Sequence, residues 1–127
     1  MKVNAKQLDA VISLTSEKRY QHFVKRIADV EEVWALYSDG WALSATEDGT
    51  SVFPFWPARE YAEKCAINEW LGYEPRALPL DEFLNSLLPR LKADGVLPGV
   101  FPNLVGDNVT PTVERLIADI NIELENY

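Results

Sequence analysis

The sequence predicts an α+β fold, a mainly antiparallel five-stranded sheet packed with helices, in a single domain spanning residues 1–127. Three observations predict it. The apolar period changes from helical to two-residue after Val30 and back again after Pro57. Asp39-Gly40 and Glu47-Asp48-Gly49 divide the intervening stretch into strands of hairpin length. Thr110-Pro111 then opens a last amphipathic segment in the manner of a helix start. A chain of this size buries roughly two thirds of its unfolded surface, and a composition 47% hydrophobic and 11% aromatic supplies the side chains for such a core.

Each element has its own local reason. Asn4 followed by Gln7 has the form of a capping box, and Leu8, Val11 and Ile12 recur on one face, so a short helix ends near Leu14. Thr15 or Ser16 caps a second helix, with Glu17 in its positively polarised first turn. Tyr20, Phe23, Val24 and Ile27 form its buried stripe, while Lys18, Arg19, Lys25 and Arg26 fall on a solvated face. Val33 to Tyr37 is short, turn-bounded and rich in strand formers. Asp39-Gly40 returns the chain through Trp41 to Ala45, and a further turn leads into Ser51 to Trp56. The result is an antiparallel meander in which Trp34 shares a face with Leu36, and Trp41 with Leu43.

Phe53-Pro54-Phe55-Trp56-Pro57 is the densest local feature, and its prolines force extended geometry on Phe53 and Trp56. Pro54, lacking a donor, belongs at an edge, bulge or strand end. Pro57 opens a third helix with Tyr61, Ala62, Cys65, Ala66 and Trp70 on its inner side, Glu60 and Lys64 as a solvent-side pair, and Gly72 as its stop. Arg76 to Leu80 is a fourth strand entering a helix that places Asp81 and Glu82 in its first turn and Phe83, Leu84, Leu87, Leu88 and Leu91 on its apolar face. Pro89 predicts a kink or tight break there, because it cannot donate to the Asn85 carbonyl. The last strand lies near 97–102, and Val113, Leu116, Ile117, Ile120 and Leu124 line the final helix.

A net charge of −8 opposes general contact with nucleic acid or anionic lipid. The first thirty residues carry a local +3, leaving −11 for the remainder. Cys65 alone excludes an internal disulfide, and Cys65 with His22 leaves too few soft ligands for a typical zinc site, so neither a metal nor a cofactor is expected. No uncharged apolar run of membrane-spanning length occurs, and the expected location is cytoplasmic.

No glycine-rich phosphate loop follows a strand, and there is no HExxH helix, calcium loop or Gly-x-Ser-x-Gly turn. No catalytic residue is therefore assigned. Asp39, Asp48, Asp81, Glu82, Asp94 and Asp107 sit near turns or element ends, where they serve as caps or line a hydrolytic cleft. Trp34, Trp41 and Trp56 can approach one another across the meander, with Arg59 and Tyr61 just beyond Pro57. These five residues either wall a ligand groove, with Arg59 fixing a polar or anionic group, or fill the core.

The chain resembles a family of small bacterial proteins known as domain of unknown function 2750. The resemblance rests on Trp34-Ala35-Leu36, Asp39-Gly40-Trp41-Ala42-Leu43, Phe53-Pro54-Phe55-Trp56-Pro57 with Tyr61-Ala62, Pro79-Leu80-Asp81-Glu82-Phe83-Leu84 and Val100-Phe101-Pro102, over roughly residues 20–120. It implies one compact domain and supplies no reaction, ligand or catalytic residue. The expected function is a non-enzymatic protein-binding or regulatory domain, its partner another protein with a basic patch or a second copy of the chain. The alternative is a small hydrolase with a carboxylate-lined cleft.

Overall fold

Asn4 accepts the Gln7 amide on Oδ1 at 2.8 Å and opens α1 (Ala5–Ile12), as the capping pattern predicts. The computed structural model describes residues 3–127; Met1 and Lys2 of the expected domain lie outside the described residues. Thr15 caps α2 (Ser16–Val30), which ends on Glu31 in the left-handed conformation, and Tyr20, Phe23, Val24 and Ile27 are buried as expected. Arg19 corrects the sequence expectation: it is 1% exposed, on the buried side of α2.

Among the described residues the five strands form two sheets, not one. β1 (Glu32–Tyr37) pairs antiparallel with β4 (Glu74–Pro79), which begins earlier than predicted. β2 (Ser44–Ala45) pairs antiparallel with β3 (Ser51–Phe55), and β3 pairs parallel with β5 (Leu97–Val100). The pairing is thus antiparallel in two of three ladders. β1 lies against β3 and is hydrogen-bonded just past its end, through reciprocal Trp34–Trp56 backbone bonds of 2.9 and 2.8 Å, without forming a further ladder. The physical reason lies in β3: its residues are engaged by β2 and β5, and Pro54 has no N–H to extend a further ladder.

The predicted Trp41–Ala45 strand contracts to two residues. Asp39 adopts a positive φ of 55°, and the Ala42 amide turns back to the Leu36 carbonyl at 2.9 Å, which buries Ala42 and leaves Leu43 outside.

α3 (Arg59–Lys64) is shorter than expected, and a 3-10 turn at Asn68–Trp70 completes the inner side with Trp70. Its ion pair is Arg59–Glu63 at 3.1 Å, not Glu60–Lys64. α4 runs through Leu80–Glu82, a π-helical stretch Phe83–Leu87 and Leu88–Asp94. At Pro89 the α-helical register is interrupted by a wider turn just before the proline, with the Leu88 amide donating to the Phe83 carbonyl, where a kink or tight break is expected. α5 (Val113–Leu124) is capped by Thr112, whose Oγ1 accepts the Arg115 amide at 3.1 Å, rather than by Thr110. The helices and both sheets share one apolar core through Phe23, Ile27, Leu36, Phe55, Trp56 and Leu116. No helix among the described residues is long and apolar enough to cross a membrane.

Candidate functional site

β5 ends in a strained turn. Phe101 is fully buried with φ of +59°, a conformation that costs an L-residue on the order of 1 kcal/mol. Its amide donates to the Phe55 carbonyl at 2.8 Å, and its carbonyl accepts Nε of Arg19 at 2.9 Å. The same guanidinium donates to the Leu14 carbonyl and, at 2.7 Å, to that of Asp107. Asp107 Oδ2 lies 3.5 Å away, but this carboxylate is 60% exposed, so the carbonyl bonds dominate the attachment. One residue further, the Pro102 carbonyl accepts the Trp56 indole N–H at 3.1 Å and the Cys65 thiol at 3.4 Å.

A self-bonded loop leaves this anchor. Asn103 Oδ1 accepts the amides of Val105 at 3.1 Å and Asp107 at 2.9 Å, and Gly106, with φ of +83°, permits the reversal. The Asn108 side-chain N–H donates to the Gly106 carbonyl at 2.9 Å, whereas its Oδ1 is buried with no hydrogen-bond partner. Gly99 admits that amide: a Cβ there would stand 3.3 Å from Asn108 Oδ1 and only 2.6 Å from a Val52 methyl.

Between this loop and the segment after α3 lies a cleft of about 240 Å³. Asn68, with φ of 54°, Trp70, Pro102 and Asn108 line its walls. Ile67, Leu104 and Val105 also line it, and Val105 is 87% exposed. Glu69 is the one charged lining residue among those described. Burial pushes the Cys65 thiol up to about 11, which disfavours its thiolate at neutral pH.

The structure distributes the five expected binding residues differently. Trp56 and Tyr61 are 0% exposed and belong to the core. Trp56 meets Trp70 edge-on at 5.9 Å, and Tyr61 packs on Phe101 at 4.8 Å. Trp34 is half-buried, donates Nε1–H to Glu32 at 3.0 Å and lies 6.0 Å beneath the Arg59 guanidinium. Trp41 packs against Tyr37 and Phe53, and Arg76 stacks over Tyr37 at 3.7 Å. None of the five lines the cleft.

The carboxylates occupy turn positions. Asp48 accepts the hydroxyls of Thr46 and Thr50, which hold its carboxyl below the usual range. Asp81 accepts the Glu82 amide at 2.9 Å. Among the described residues, no group of three or more His, Cys, Asp or Glu side chains is placed to hold a metal ion. Sequence reasoning missed the cleft because Leu104 and Val105 sit in an aperiodic loop. Their only local signal is two large apolar side chains between Asn103 and Gly106, where turn chemistry predicts exposure.

Residues 20–120 match the sequence model of the family described as "Protein of unknown function (DUF2750)". No curated protein and no solved structure matches the chain.

Proposed function

As the chain belongs to the DUF2750 family, we propose that it is a non-enzymatic binding domain whose cleft takes an extended apolar segment of a basic partner protein. The observation that carries this proposal is the group of exposed apolar side chains, Ile67, Leu104 and Val105, that line the cleft. Val105 and Leu104, 87% and 42% exposed, stand on a loop held by its own hydrogen bonds, so little order is lost when a partner covers them. The segment's apolar side chains cover Ile67, Leu104 and Val105.

Charge selects among occupants. Glu69 in the cleft and a net charge of −8 favour a segment flanked by Lys or Arg. They oppose a second copy of this chain, which carries the same −8. Nothing in the geometry favours hydrolysis over recognition: Asp48 and Asp81 are engaged in their own turns and Cys65 is kept protonated. Val105→Asp tests the proposal at an exposed position. The variant should unfold like the parent chain and lose partner binding; a folded Val105→Asp that binds its partner undiminished contradicts it.

A further inference from the structure

A second cavity, of about 140 Å³, lies beside α4 and shares no lining residue with the cleft. Its apolar wall is made by Phe83, Leu87, Leu78 of β4 and the Trp41 ring. Phe83 is 0% exposed and meets Phe55 edge-on at 4.8 Å, and Trp41 packs against both Tyr37 and Phe53, so the wall is in place before anything binds. Glu82, Ser86 and Arg90 complete the lining. Eight residues of regular α-helix carry a side chain roughly 80° round the axis. The π-helical turn at Phe83–Leu87 advances each residue by less, which draws these three, at i, i+4 and i+8, towards one side of the helix.

We propose that this cavity binds a free α-amino acid with an apolar side chain, its carboxylate on Arg90, its ammonium on Glu82 and its side chain against Phe83 and Leu87. Glu82 and Arg90 stand about 12 Å apart along the helix axis, and among the described residues neither side chain enters an ion pair or a hydrogen bond. The lining thus holds one charge of each sign, and a ligand that carries both matches it. A simple carboxylic acid would leave its charge beside Glu82, and a simple amine would leave its own beside Arg90. The guanidinium fork takes a carboxylate through two parallel N–H bonds. The Ser86 hydroxyl and the Trp41 indole N–H, also without a partner among the described residues, supply further polar contacts. Volume sets the size of the ligand: the cavity is close to the roughly 150 Å³ that encloses a benzene ring, which suits a leucine-sized side chain and excludes a nucleotide.

The test is a titration of the full chain with L-leucine, followed by NMR at the Trp41 indole N–H. Isocaproate, which is leucine without its ammonium, and isoamylamine, which is leucine without its carboxylate, are titrated beside it. L-Leucine should bind saturably with a Kd of about 1 mM or below. Each single-charge analogue should bind about tenfold more weakly or worse, the effect of losing one charged hydrogen-bonding contact. Arg90→Gln, at an exposed position, should weaken L-leucine by a similar factor and leave isoamylamine unchanged. A response to L-leucine that does not saturate overturns the proposal. Equal binding of the three ligands overturns it too, since apolar contact alone would then account for the site, as does a folded Arg90→Gln that binds L-leucine undiminished.

Discussion

Nε of Arg19 donates to the carbonyl of Phe101 at 2.9 Å, joining residues 82 positions apart at a place where neither is exposed. The guanidinium thereby holds a phenylalanine in the left-handed conformation, and through Leu14 and Asp107 it ties the start of α2 to the cleft loop. Its rigid fork matches three carbonyls at once, a task that an ammonium cannot reproduce.

Arg19→Met should therefore lower the unfolding free energy by about 3 kcal/mol or more, since hydrogen bonds to a charged donor are worth about 1.5–3 kcal/mol each and the carbonyls stay buried. Arg19→Lys should lose less. Denaturant unfolding measures both, and hydrogen exchange should show residues 103–108 opening first. A loss below about 1 kcal/mol in Arg19→Met would mean that water replaces the guanidinium without cost.

Trp56 gives a graded series. Trp56→Ala should lose about 3–5 kcal/mol through lost packing and the cavity left behind. Trp56→Phe keeps most of the ring but removes the 3.1 Å bond to Pro102, and should lose about 1–2 kcal/mol more than its volume change explains. A loss in Trp56→Phe no larger than its volume change explains would show that the indole N–H contributes nothing.

Stability should fall on both sides of neutrality. His22 is held below its ordinary 6.5, so the unfolded chain takes up the proton first as pH falls, and stability drops below about pH 7 until the folded imidazole also titrates. Cys65 is raised from 9.0 to about 11, so the unfolded chain loses its proton first and stability drops between those values as pH rises. His22→Gln should flatten the acid limb and Cys65→Ala the alkaline one, read as unfolding midpoints against pH. An unchanged acid limb in His22→Gln would assign it to carboxylates such as Asp48 and Glu114, whose depressed values place their loss at lower pH.

Local chemistry makes the helix starts at Asn4 and Thr15 legible, because each cap acts within three residues of itself. The buried stripe of α2 is legible for the same reason: its period is set by the helix. Arg19 is not, because a guanidinium on a helix is ordinarily solvated and its burial requires carbonyls from residues 14, 101 and 107. The split into two sheets depends on which edges of β3 are occupied, which no local pattern records. The same holds for the tryptophans. Their abundance is evident, but Trp56 is buried by the Pro102 turn and Trp34 is left half-buried beneath Arg59, both through distant pairings.

Photo-crosslinking from Val105 in the full chain tests the cleft most directly. A crosslinkable residue placed there, with a control at exposed Arg90 outside the cleft, is activated in an extract of the source cells, and the attached peptide is read by mass spectrometry. An apolar segment flanked by Lys or Arg, absent from the Arg90 control and lost when Leu104→Asp is added to the folded chain, is the predicted result. Crosslinks no more frequent than at Arg90, or a peptide that is acidic, polar or derived from this chain itself, would contradict recognition of a basic partner through this cleft.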